Sequence, residues 1–229
     1  FLKTGAYRPS DLARAIAWSS KYGIDMLTVD GAGGGTGMSP WKMMNEWGMP
    51  PVELHSLLYT YAKQLSDAGR PVPALVLAGG FVFEDQIFKG LAIGAPFVKM
   101  VGMARSPIAA AMVGKTIGKT IDESQLPVYV ERFGRTRDEI FVTAADLRQL
   151  IGNDEFEKLP TGAIGLYTYY ERLAQGSRKL MCGSRKFATK YIARDDLASL
   201  TREAADMSGI QFTLDMDREE VDTILNGQH

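Results

Sequence analysis

Ala74-Leu75-Val76-Leu77-Ala78-Gly79-Gly80 is the stretch on which the fold turns. It is apolar throughout, as a strand covered on both faces is, and a glycine pair ends it. Working outward, residues 24–29 have the same strand character and run into Gly31-Ala32-Gly33-Gly34-Gly35-Thr36-Gly37, after which Ser39-Pro40 restarts ordinary structure. Residues 1–4 read as a short strand and residues 97–101 as a fourth. Helical periodicity fills the gaps. One helix opens at Pro9, with Ser10 or Asp11 as its cap and Gly23 as its stop. A longer one starts at Pro50-Pro51-Val52-Glu53 and fades near Gly69, a third covers 84–91, and an Ala-rich one covers 108–116. Strands alternating with amphipathic helices make parallel βαβ units, whose ligand sites lie at the carboxyl ends of the strands in a βα barrel or a doubly wound sheet.

Glycine is the most costly residue to order, so glycine gathered at strand ends calls for a reason. The loop at 31–37 reads either as a flexible connector or as a place where the backbone comes close to something flat or anionic. Gly79-Gly80 and Gly102-Met103-Ala104 are successive strand ends separated by one helix. Exposed N–H groups and the positive end of a helix dipole favour an anion there, and glycine keeps side chains out of its way. A plain turn and a plain helix entry are the alternatives. Lys3, inside the first strand, points either to solvent or into the mouth of a barrel. Glu53 and Thr36 are candidates for polar contacts, although a helix start favours glutamate for its own sake. His55, just inside a helix, and His229, at the end, are the two histidines, so no histidine base is expected at a strand end. Arg105 either supports a phosphate or flanks its helix.

Composition narrows the classes. The chain has 229 residues, 45% of them hydrophobic, enough for one sizeable core or two small ones. Lys+Arg 26 against Asp+Glu 27 leaves a net charge of -1, which argues against a nucleic-acid partner. Cys182 is the single cysteine, so there is no internal disulfide, and it cannot alone hold an iron-sulfur cluster. No apolar run approaches the roughly 18 residues a membrane span needs. No cleavable signal pattern is present either, and a cytoplasmic protein is expected.

In order along the chain stand Phe1-Leu2-Lys3-Thr4, Gly34-Gly35-Thr36-Gly37-Met38-Ser39-Pro40, Pro51-Val52-Glu53-Leu54, Ala78-Gly79-Gly80 and Gly102-Met103. This series resembles the FMN-binding domain of the glutamate synthase family, specifically the last four βα units of its barrel. The resemblance implies an α/β fold. Residues 1–118 would be the carboxy-terminal half of a TIM (β/α)8 barrel, and residues 119–229 a mostly helical extension. The extension, with Pro160-Thr161-Gly162-Ala163-Ile164-Gly165, is similar to that of glutamate-synthase-related proteins. The resemblance also implies FMN as cofactor. Lys3 would lie at the flavin, stabilising negative charge on reduction, and Gly34, Gly35, Thr36 and Gly37 would line it and the substrate pocket. Gly79, Gly80, Gly102, Met103 and Ala104 would cradle the phosphate. Lys3 and Glu53 would be the catalytic pair, acting in oxidoreduction of a small amino or keto acid.

Departures from the pattern are specific. Gly33 stands where the family carries an aspartate, and Asp30 sits earlier. Ser106-Pro107-Ile108-Ala109-Ala110-Ala111 replaces the family's cysteine cluster, so no iron-sulfur cluster is expected in this segment. Ala32 or its neighbours stand where related 2-hydroxy-acid oxidases place a histidine base. A catalytically degenerate FMN- or phosphate-binding scaffold, or a regulatory subunit, is therefore the competing expectation. Four strands make half a barrel. The missing half is expected in a preceding segment, another chain or a second copy, and the fragment alone is expected to be inactive.

Overall fold

In the computed structural model of the protein, residues 1–5, 8–32, 34, 40, 42 and 46–227 are described. The predicted alternation is present in the first half: β1 (Leu2–Gly5), α1 (Pro9–Lys21), β2 (Met26–Asp30), α2 (Pro51–Asp67), β3 (Ala74–Ala78), α3 (Glu84–Ile93), β4 (Val98–Gly102) and α4 (Arg105–Asp122). The strands form one parallel four-stranded sheet in the order β1-β2-β3-β4. Expected and observed strands agree within a residue or two, and β3 agrees at both ends. Neither Ser10 nor Asp11 caps α1. Its N-cap is Arg8, with Pro9 in the first turn, where a missing N–H costs nothing.

Register sorts the side chains into two faces. Leu27 and Val29 stand beside Leu75 and Leu77, all fully buried, together with α-helical Leu12, Ile16, Leu54, Leu58 and Ala62. Glycine lets α3 lie close to that face. A Cβ on Gly94, just past α3, would overlap Val98 at 2.1 Å, while one on Gly90 would press on Phe81 at 2.8 Å and only touch Val101 at 3.5 Å. The other face carries Lys3, Thr28, Val76 and Met100 in one row, followed by Gly5, Asp30, Ala78 and Gly102 in the next. Met100 is 47% exposed there, a large apolar side chain on the open side of a sheet otherwise built for burial.

The chain divides into two compact units. The first contains residues 1–81, 85–102 and 180–229, and the second residues 82–84 and 103–179. The last stretch, read from sequence as part of a helical extension, is thus grouped with the sheet. There Ile192 packs in a cluster with Phe88 and Ala92 of α3, with Leu180, Met181 and Leu197 against it. Arg194 lies over the Tyr59 ring, 3.8 Å from its centroid, and donates to the carbonyls of Ile93 and Ser208. Those carbonyls end α3 and α10 (Arg202–Ser208), so one guanidinium satisfies groups that helix ends otherwise leave open.

The second unit holds α4 and four short helices, α5 (Val128–Glu131), α6 (Arg137–Ile140), α7 (Ala144–Ile151) and α8 (Asn153–Lys158), followed by most of the long α9 (Thr161–Gly183). The stretch 121–159 reads as polar, yet it supplies a core of Phe141, Ala144, Leu147 and Phe156 with Ile164. Its charges lie outside that core. Arg148 stacks 4.0 Å over Phe156 while bonding Asp138 and Glu157. At the far end, Gly209 closes α10 in the left-handed conformation, and α11 (Arg218–Leu225) follows. None of the helices among the described residues is long and apolar enough to cross a membrane.

Candidate functional site at the strand ends

Where β2 and β3 end, their backbones meet. Gly31 N–H donates to the Ala78 carbonyl at 2.9 Å, and Ala32 N–H to Met49 at 2.7 Å. Gly79 has φ +108, and a Cβ on it would lie 2.8 Å from Gly31 N and 3.0 Å from Gly31 O. Glycine is required there twice, by conformation and by contact. Gly80 has φ +78, and a Cβ on it would meet nothing within 4 Å. One glycine of the pair closes the joint between strands, and the other leaves room beside it. At the end of β4, a Cβ on Gly102 would be 3.3 Å from that of Ala78. Met103 and Ala104 belong to the second unit, where Ala104 is the N-cap of α4 and makes no side-chain capping bond.

Lys3 points to the strand ends and is paired. Its Nζ lies 2.8 Å from Asp30 Oδ2, with the lysine side chain 44% exposed and the aspartate 5%. Asp30 Oδ1 is buried without a hydrogen-bond partner. Gly34, whose N–H donates to Gly31 O at 2.8 Å, sits so close that a Cβ would overlap Asp30 Oδ1 at 1.7 Å. Of the other expected loop residues, Gly35, Thr36 and Gly37 lie outside the described residues. Glu53 is half-buried in the first turn of α2, where a carboxylate suits the helix dipole, and Lys3 forms its ion pair with Asp30.

His55 also reaches this end of β3. It comes from α2 rather than from a strand, yet it hydrogen-bonds the backbone of Ala78, the last residue of β3, and stacks on Phe81 at 5.7 Å and 11°. Burial pulls its pKa down from 6.5 to about 4, against the Ala78 bond, which acts the other way. Its Nε2 is buried without a partner. The imidazole is therefore neutral near pH 7, a prop under the Gly79-Gly80 turn rather than an accessible base. The sequence holds a signal for this: His55 lies on the same helical face as Leu54, Leu58 and Ala62, all buried.

A stability effect follows. Above pH 6.5 the imidazole is neutral folded or unfolded and contributes nothing. As pH falls from 6.5 towards 4 the unfolded chain takes up a proton that the folded one refuses, so stability declines by about 3 kcal/mol, with no further loss below. Urea unfolding across that window should show this slope, and His55→Gln should remove that part of it. An unchanged slope in the variant would contradict a buried neutral His55.

Residues 2–113 match the family model described as the conserved region in glutamate synthase. This segment is a glutamate-synthase-family domain. No curated protein and no solved structure matches the chain. The glutamate-synthase segment contains the whole sheet and the strand-end residues Lys3, Asp30, Gly34, His55, Gly79, Gly80 and Gly102. Its family points to a glutamate-synthase-related function, of the oxidoreductase kind. Sequence reasoning missed the pairing of Lys3 with Asp30 within this domain. The available signal was an aspartate closing an apolar strand, one strand away from a lysine.

Proposed function

We propose that this chain supplies four βα units of an FMN-binding barrel, and that the complete protein is a flavin-dependent oxidoreductase acting on a small amino or keto acid. The observation that carries this reading is the half-exposed ammonium of Lys3, directed to the strand ends where Gly80 has a left-handed backbone and open space beside it. A phosphate needs N–H groups with no side chain in the way, and a flavin gains from a cation beside its reducible ring. These residues fit such a group. Bound FMN would supply hydride or electron transfer. Gly79, Gly80 and Gly102 would bind the phosphate through backbone N–H groups, and Lys3 would hold a positive charge where negative charge develops.

Barrel closure is supported by two features. The strand order is sequential with no reversal, whereas a doubly wound sheet reverses at its switch point. The face bearing Lys3, Thr28, Val76 and Met100 has the row pattern of a barrel interior, and among the described residues no further strand pairs with β1 or β4 at the sheet edges. The remaining strands come from another segment of the same protein, another chain or a second copy. One observation favours the scaffold reading, in which FMN or phosphate binds without turnover: His55, which reaches the end of β3 from α2, is buried and neutral.

Gly80→Val separates binding from folding. The variant should keep the far-UV circular dichroism of the wild type and still unfold cooperatively, at a lower urea concentration because valine is strained at φ +78, while losing at least about tenfold in FMN affinity, the equivalent of one 1.4 kcal/mol step. Unchanged affinity would remove Gly80 from the phosphate site. Light scattering on the flavin-loaded species checks closure, because a single copy of this chain alone carrying flavin would contradict it.

A further inference from the structure

Asp30 sits in an arrangement that stability alone does not explain. A carboxylate with 5% of its side chain exposed is paired to a lysine that is 44% exposed, and one of its two oxygens has no hydrogen-bond partner among the described residues. Burying a carboxylate is costly, and a well-made buried pair satisfies every oxygen. An orphaned buried oxygen in a native protein therefore calls for a reason beyond packing. Gly34 fits this arrangement, since any side chain there would strike Asp30 Oδ1. Because Oδ1 is buried, a ligand does not reach it directly. What Asp30 does reach is Lys3.

We propose that Asp30 is a positioning residue for Lys3. It pins the Lys3 ammonium at the strand ends and offsets part of its charge, so that the site presents a directed cation of moderated strength to an anionic or electron-rich ligand. The role rests on the flavin reading for its consequence, but not for its geometry. Register makes the pairing specific: Asp30 lies opposite Gly5 and Ala78, small residues that leave the carboxylate free to turn towards Lys3 in the neighbouring row.

The test has two arms on the intact protein, comparing the wild type with Asp30→Asn and Asp30→Glu. The first arm, without flavin, follows acetylation of individual lysines by acetic anhydride and mass spectrometry. Lys3 should react several-fold faster in Asp30→Asn than in the wild type, and at nearly the wild-type rate in Asp30→Glu. Lys63 and Lys89, exposed on helices, should be unchanged and serve to detect unfolding. The second arm measures the midpoint potential of bound FMN. Asp30→Asn should shift it to more positive values, because an uncompensated Lys3 favours the reduced, more negative flavin, and Lys3→Met should shift it to more negative values. An unchanged Lys3 acetylation rate overturns the positioning role whether or not flavin binds. A faster rate with an unmoved potential overturns the charge-offsetting half. If the wild type takes up no FMN, the flavin reading fails by itself and the acetylation arm still decides the role of Asp30.

Discussion

Gly79→Ala should cost the sheet-bearing unit about 3–5 kcal/mol, a large part of the 5–15 kcal/mol by which a domain of this kind is stable. Two penalties add. An L side chain at φ +108 is strained wherever it stands, and this one would also press on Gly31 N at 2.8 Å and Gly31 O at 3.0 Å. Those are backbone atoms, and Gly31 is held by its bond to Ala78, so relief means parting β2 from β3 at their carboxyl ends. Gly80→Ala is the matched comparison. It has a similar left-handed backbone but empty surroundings, so it should cost only about 1 kcal/mol of conformational strain. Urea unfolding of the two variants side by side measures the difference. Equal costs would mean that the strand ends do not touch as described.

Gly114→Val should have an effect of similar size in the second unit, about 3 kcal/mol or more. A Cβ on Gly114 would lie 2.8 Å from Thr161 O, 3.1 Å from Gly165 Cα and 3.2 Å from Gly162 Cα. The opposing glycines are equally committed: a Cβ on Gly162 would meet Ala111 O at 2.8 Å, and one on Gly165 would meet Ala110 O at 3.0 Å. Helices α4 and α9 therefore cross backbone to backbone, and a branched side chain forces them apart along the whole contact. Gly183→Ala, at the open end of α9 with nothing within 4 Å, should be neutral or slightly stabilising. Thermal unfolding by circular dichroism distinguishes the two. A neutral Gly114→Val would contradict the crossing.

The same glycines explain where the sequence misled. The Ala-rich helix is expected at 108–116, whereas α4 runs Arg105–Asp122. Pro107 is tolerated in its first turn, and Gly114 and Gly118 act as contact points rather than stops. Helix α9 runs unbroken over Thr161–Gly183 for the same reason at Gly162, Gly165 and Gly176. At Gly176 a Cβ would strike Glu84 at 2.4 Å. Single-chain propensity scores such glycines as breakers, and only the partner helix shows what they are for. The sheet was easier to read, because a buried parallel strand such as β3 is apolar from end to end and is bounded by Pro73 and Gly79. The strand-end glycines were legible as special positions, but the different tasks of Gly79 and Gly80 were not. The Lys3–Asp30 pair depends on parallel register between strands, which no local pattern encodes. Arg194 reaches the end of α3, 101 residues away in sequence, as well as that of α10, so its isolated charge gives no sign of its partners.

The most direct test of the account is a titration of the intact, flavin-free protein with FMN, followed by visible absorbance and flavin fluorescence. The account predicts saturable binding at one FMN per completed barrel, with a perturbed flavin spectrum that Gly80→Val loses. A folded wild-type protein that leaves the flavin spectrum unchanged at every FMN concentration would contradict it.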